Sequence, residues 1–394
     1  MRENPKKTKA SKLFEYFRDK KENLVFLALM VILAIFVRYY LLNFKSGDYL
    51  NAYYPWIKFV TSHGGFSALK YNFSDQSPAY LYSLVLISHL PVSALHGIKF
   101  ISIFFDFVAA GFVYLIVRRK YQNTSIPLIA FAIVLFTPTV FINSALWGQC
   151  DIIYTSFLLA SVYFLLKSKN NLVTGLYAVA LSFKLQAIFL APLFVLLLLR
   201  KKILFRNLLV FIPVYLALLV PSALVGRPWK DLLLVYFNQA KEYSSLSLNA
   251  PTLYQWLPYF TRSEAESIGT AGIFFAAAAV SIFIFYVYKK KIAIDNGQIV
   301  KLALASVVLL PFVLPRMHER YFFPADVFSI IFAFYFPRYF YLPIAMQTIS
   351  FLSYNPFLFQ SDVNFPLLSL GVFLVIIVVL RELVLSDPVP IDKG

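Results

Sequence analysis

Long apolar runs recur from near one end of this chain to the other, broken by short polar turns that carry most of its charge. A membrane crossing needs roughly 20 apolar residues, with a range of about 17–25. Residues 24–42, 99–117, 126–144, 151–166, 172–184, 185–199, 207–225, 270–288, 299–314, 321–336, 339–354 and 366–381 read as twelve candidate spans. The pair 172–184 and 185–199 is short for two ordinary spans and reads as a tight hairpin or two broken helices shielded by neighbours. The run 79–96 carries Ser88, His89, Pro91 and His96 behind Pro78, so it is expected to lie as an interfacial helix. The pattern predicts an all-α polytopic membrane protein, residues 1–394 forming one integral membrane domain. Two segments between spans are long, 43–98 and 226–269, and both fall on the same side. No repeat of 20–50 residues and no pair of inverted halves stands out.

Composition agrees with the pattern. Of 394 residues, 60% are hydrophobic and only 14% charged, against about 25% charged in soluble domains. This excludes a disordered chain, a disulfide scaffold and a nucleic-acid-binding domain. The net charge of +17 has a topological cause. With the N-terminus inside, 24 of 36 basic but only 8 of 19 acidic residues fall on the cytoplasmic side, as the positive-inside rule requires. Eight of those bases lie in residues 1–22, too many for a cleavable signal. The single cysteine, Cys150, excludes an intrachain disulfide, and the four histidines have no HxxxH spacing.

The remaining polar residues gather on the outer side. The first outer loop opens with Asp48 and continues to Asp75. Trp147, Gln149 and Asp151 follow one span, and Lys184 and Gln186 occupy the tip of the short hairpin. Arg316, His318, Glu319 and Arg320 follow another span. Singly, each has a plain alternative: a solvated loop aspartate, an interfacial tryptophan, a snorkelling lysine, or arginines on lipid phosphates. Asp106 differs, because a carboxylate inside a span needs a partner; pairing with a base or a backbone cap is expected.

Together, Asp48 after the first span, Trp147-Gly-Gln149-Cys-Asp151 and His318-Glu319-Arg320-Tyr321 resemble the GT-C glycosyltransferase superfamily. These are polytopic enzymes that use lipid-phosphate-linked sugars. The chain is most similar to bacterial relatives of the ER enzymes that use dolichyl-phosphate mannose or glucose, and of the GPI mannosyltransferases. The segment from Asp75 to Tyr80 is similar to the D-Y-P-P-L stretch of that group, with Ser-Pro where Pro-Pro is expected. The resemblance implies a GT-C fold of about 12 transmembrane helices with interfacial helices in the first outer loop. It also implies an inverting transfer of a hexose, mannose first and glucose second, from a polyprenyl phosphate to a lipid or glycan hydroxyl.

In that scheme Asp48 is the catalytic base, and Arg316, His318, Arg320 and Lys184 bind the donor phosphate. Asp75, Trp147, Gln149, Asp151 and Glu319 hold the sugar or acceptor, the tryptophan by stacking on the ring. Tyr243, Asn249, Tyr254 and Trp256 of the 226–269 loop cover the site. Phosphate is already a stable leaving anion, so one positioned carboxylate suffices as base. No cofactor is required; Mg²⁺ or Mn²⁺ is an option that the fixed cations make unnecessary. The expected partners are the polyprenyl-phosphate sugar, the acceptor and membrane lipid, with no nucleic acid. The location is a bacterial inner membrane, or the ER membrane in a eukaryote, with the site on the periplasmic, exterior or luminal face. The rivals are a flippase or transporter of a lipid-linked sugar, and a glycan polymerase or ligase.

Overall fold

Apolar runs in a bilayer must satisfy their own backbone hydrogen bonds, and here they do so as helices. A computed structural model describes residues 9–239, 245–258 and 260–385; the first eight residues of the basic N-terminal segment, Tyr243 and Lys393 lie outside them. Helix α1 (Lys9–Leu41) leads into the first outer segment. That segment folds as a π-helical turn, Tyr49–Tyr53, then α2 (Tyr54–Ser62), a 3-10 turn, Gly65–Lys70, and α3 (Pro78–Ser88). The interfacial helix expected over 79–96 is therefore shorter. It stops before Pro91, and Ser93 then caps the start of α4 (Ala94–Arg118), its hydroxyl accepting from the His96 amide.

Next come α5 (Ile126–Phe136), α6 (Pro138–Phe141) and a π-helical turn, Ile142–Trp147. They form one apolar element bent by 49°. Pro138 causes the bend, because it has no amide to continue the ladder. Then follow α7 (Asp151–Leu166), α8 (Asn170–Phe183), a 3-10 turn, Leu185–Leu190, and α9 (Ala191–Leu199). The short hairpin is thus two helices meeting at Lys184. They diverge rather than pack along each other, α8 against α7 and α11 (Phe211–Ala217), α9 against α15 (Arg262–Lys289) and α16 (Asn296–Val313). One interrupted element holds α10 (Phe205–Leu208), α11 and α12 (Val220–Leu224).

The second outer segment contains α13 (Trp229–Leu233), α14 (Val235–Gln239) and β1 (Ser247–Leu248). Beyond α15 and α16 lie β2 (Met317–His318), α17 (Phe323–Tyr335), α18 (Tyr341–Phe359) and α19 (Phe365–Val384). The parallel pairing of β1 with β2 is the only sheet among the described residues.

All twelve expected spans are helical. Six elements are long and apolar enough to cross a membrane, or seven counting the bent one. The others are shorter or more polar; α17 has 13 residues, a rise of about 20 Å. Burial separates two kinds of helix. Only 11% of the apolar window of α1 is buried, against 78% for α16. Helices α7, α16 and α17 form the core, and α1, α15 and the α10–α12 element present bare Leu, Ile and Phe outward.

The basic ends collect together. Arg119, Lys120 and Lys202 line one recess with Asp295 and Asn296. Arg200 donates to the Val287 carbonyl at 3.1 Å, and Lys301 and Arg338 converge on Glu382. Between the two ends, Asp106 has the partner its position demanded. Arg38 Nε donates to Asp106 Oδ2 at 2.8 Å, and Ser144 Oγ to the same oxygen at 2.6 Å.

Candidate functional site

At the end opposite the basic cluster, backbone capping fixes the loop that carries Asp48. The last carbonyls of a helix lack intrahelical donors. Lys99, fully buried in α4, donates from Nζ to the carbonyls of Leu41, Leu42 and Phe44 at 3.1, 2.9 and 2.7 Å. Ser46 Oγ donates to the Trp147 carbonyl at 2.8 Å, and Ser102 Oγ to the Gln149 carbonyl at 2.7 Å. Gly148 turns the chain between those residues with φ +81° and packs over the Lys99 stem. Only glycine takes that conformation without a Cβ penalty. Two π-helical turns flank the loops, Tyr49–Tyr53 after Asp48 and Ile142–Trp147 before Gly148. Such turns redirect side chains and recur at functional sites.

The Asp48 side chain is partly exposed. Trp147 Nε1 donates to its Oδ2 at 2.9 Å, and Gln149 Nε2 donates to the same oxygen. The Tyr53 hydroxyl donates to Gln149 Oε1 at 3.0 Å, fixing the amide with its NH₂ toward Asp48.

Two cations converge on Asp151, and one of them, Arg320, lies in the field of Asp48. Lys184 pairs with Asp151 Oδ1, and Asn143 Nδ2 donates to Asp151 Oδ2 at 2.9 Å. Arg320 Nε lies 3.7 Å from Asp151 Oδ2, and its Nη1 is 2.6 Å from Glu319 Oε1. Burial alone would lower the Arg320 pKa, but Glu319, Asp48 and Asp151 raise it well above its usual value. Burial likewise opposes a charged Glu319; Arg320 and His318 outweigh it and hold the carboxyl below the usual range. Burial raises Asp75, against the opposing pull of Gln76, Lys184 and Arg320. Asp75 therefore shares the field of the same two cations.

Several expected roles change place. Trp147 is fully buried, stacked on Phe357 at 5.1 Å, with the Arg320 guanidinium 5.3 Å from its ring centre. It has no open face for a sugar ring, and its indole N–H serves Asp48. Asp151 is fully buried too and holds Lys184 and Arg320 in place. Tyr254 and Trp256 of the 226–269 loop turn to the bundle instead of the site. Tyr254 donates to the Val313 carbonyl at 3.1 Å, Trp256 to the Pro366 carbonyl at 3.0 Å, and Asn249 pairs with His318. These residues clamp the loop to the bundle; Tyr243 lies outside the described residues.

His318 stays near Glu319, with Nδ1 3.7 Å from Oε2. Arg316 lies two residues before His318. It has φ +63° and lines a mostly apolar groove of about 250 Å³ with Leu185, Ile188, Phe189 and Tyr321. Cys150 is buried, and desolvation pushes its thiol up to about 11, which keeps it inert. Among the described residues no three His, Cys, Asp or Glu side chains gather as a metal site. Asn143, Tyr53, Lys99, Ser46 and Ser102 were not singled out from sequence. Only Asn143 carried a signal there, as a polar residue at the end of an apolar run.

No protein-family model matches this chain, and neither does any curated protein. The functional argument stands on the residues and their arrangement.

Proposed function

We propose that the chain is an inverting GT-C-type glycosyltransferase with twelve membrane crossings. It moves a hexose, mannose first and glucose second, from a polyprenyl phosphate to an acceptor hydroxyl at the outer or luminal face. The observation that carries this is the asymmetry around Asp48. One oxygen of a partly exposed carboxylate is anchored by Trp147 and Gln149, Arg320 lies in its field, and buried Lys184 shares Asp151 with Arg320.

A base anchored through one oxygen can take a proton from an acceptor hydroxyl through the other. Attack on C1 forms the new glycosidic bond as the C1–O bond to phosphate breaks, and the electron pair leaves on phosphate. Displacement from the face opposite the leaving group inverts the anomeric centre. Lys184 and Arg320 supply fixed positive charge for the departing phosphate. Asp151 and Glu319 hold them in position, so little reorganisation is needed during the step. The apolar groove beside Arg316 suits the first isoprene units of the donor. Every carboxylate in the scheme acts as a base or a holder, and no step needs a metal.

The test is transfer from labelled polyprenyl-phosphate mannose or glucose by detergent-solubilised protein, with host lipid extract as acceptor pool. No closed compartment exists there, so turnover separates an enzyme from a transporter. Wild type is expected to give labelled product in the presence of EDTA. Asp48→Asn is expected to lose activity by about 10²–10⁴-fold while keeping its elution profile. Equal activity of the two proteins would remove Asp48 from its role.

A further inference from the structure

A second recess lies beside Asp75, outside the Asp48 cluster. It measures about 570 Å³, inside the range of small-ligand sites. Trp56 and Asn72 come from the first outer segment, with Asp75; Arg227, Asp231 and Asn238 come from the second. Arg227 is fixed in place by its neighbours. Gly226 precedes it with φ +97°, Pro228 follows it, and its own amide donates to the Ser222 carbonyl at 3.2 Å. Its side chain is 3% exposed, and Nη2 donates to Asn72 Oδ1 at 2.7 Å. Nε and Nη1 are buried with no hydrogen-bond acceptor. A buried donor without an acceptor is unfavourable, so the guanidinium keeps unused donor capacity at the wall of the recess.

The chemistry of the lining selects the ligand class. Arg227 only donates, Asp75 and Asp231 when ionised only accept, and the Asn72 and Asn238 amides do both. Two carboxylates disfavour an anion, and a buried guanidinium disfavours a cation. A neutral polyhydroxyl ligand, each of whose hydroxyls donates and accepts, satisfies the whole set. Trp56 adds an apolar wall. The recess also leads to the reaction centre, because Trp56 packs edge-on against Tyr53 at 5.4 Å, and Tyr53 holds Gln149. Gln239 lines both this recess and the apolar groove.

We infer that this recess binds a neutral saccharide, and that the acceptor of the transfer is a glycan seated against Trp56 and Arg227. The acceptor role rests on the proposed transferase reading; the saccharide site does not. The apolar groove and the polar recess meet at Gln239.

The experiment titrates the detergent-solubilised full chain with methyl mannoside, maltose, mannose 6-phosphate and glycerol 3-phosphate, reading tryptophan fluorescence. Trp56→Phe assigns the signal. Neutral sugars are expected to bind, maltose more tightly than methyl mannoside, and the phosphates at least tenfold more weakly. Asp231→Asn and Arg227→Gln should each weaken maltose tenfold or more. Arg227 is buried, so Asn238→Trp, at an exposed position on the rim, serves as the second variant; it fills the recess and should block binding without unfolding the chain. In the transfer assay these variants should raise the acceptor KM with the donor KM unchanged.

Absence of maltose binding to wild type, or binding unaffected by Asn238→Trp and Asp231→Asn, would overturn the site. Tighter binding of the phosphates than of the neutral sugars would overturn the ligand class. Maltose binding without transfer from any prenyl-phosphate sugar would keep the site and sink the transferase reading. Transfer with an unchanged acceptor KM in the variants would do the reverse.

Discussion

Asp48 has two donors on one oxygen, and each can be removed alone. A hydrogen bond to a charged group contributes roughly 1.5–3 kcal/mol. On the proposed reading, Trp147→Phe and Gln149→Leu should therefore each lower kcat by about tenfold or more with KM nearly unchanged, because they would orient the base rather than bind substrate. A rise in KM with kcat unchanged would make these residues substrate contacts instead. Glu319 gives a pH test. Its usual pKa of 4.5 is lowered in the folded chain, since Arg320 and His318 outweigh burial. The ionised form then stabilises the fold. That contribution is complete above the usual value and is lost as pH falls through the folded one. Glu319→Gln should show a lower unfolding midpoint at neutral pH, and the gap to wild type should close in acid. A gap independent of pH would remove the ion pair from the stability of the site. At this scale Asp48, Trp147, Gln149 and Arg320 were legible in the sequence, since polar groups at the ends of apolar runs stand out. The roles of Trp147 and Asp151 were not, because motif spacing does not reveal which face of a ring is already covered.

Among the elements, the junction of the bent span with α7 sets the position of the site. Gly148 sits there at φ +81°. A left-handed residue with a side chain costs roughly 1–2 kcal/mol. Gly148→Ala should lower the unfolding midpoint and reduce transfer, since it shifts the Trp147 and Gln149 donors. Gly111, in α4, has open space where a Cβ would go. Gly111→Ala should be neutral or stabilising by up to about 1 kcal/mol. Matching losses in the two variants would show that the turn has no special demand. The twelve apolar runs were legible as helices, but the short outer helices α2, α13 and α14 and the breaks were not. Pro138 marked the 49° bend only after the fact. The β1–β2 pairing joins residues 70 positions apart that carry no strand pattern. The capping of α1 by Lys99 depends on two helices crossing, which no local window reports.

For the whole molecule, the basic ends on one side and the Asp48 cluster on the other make a labelling prediction. The native thiol is buried, so a single introduced cysteine reports alone. An impermeant maleimide applied to intact cells or right-side-out vesicles should label Ser361→Cys, between α18 and α19. It should label Gln122→Cys, after α4, only once the membrane is opened. The reverse pattern would invert the topology and move the site to the cytoplasm. The charge asymmetry behind this prediction was fully legible in the sequence. The division into core and peripheral helices was not, because hydropathy does not rank helices by burial: α1 and α19 are close in hydropathy, yet 11% and 44% of their apolar windows are buried.

That division also bears on how the chain changes over generations. The outer surfaces of α1, α15 and the α10–α12 element carry exposed apolar side chains with few protein neighbours, so one apolar residue there serves nearly as well as another. Those on α7, α16 and α17 meet fixed neighbours on every side and have no such freedom. Descendants of this sequence should drift radially, quickly at the rim and slowly at the axis. Comparisons that weight all apolar positions alike would then lose the kinship that the axis still preserves.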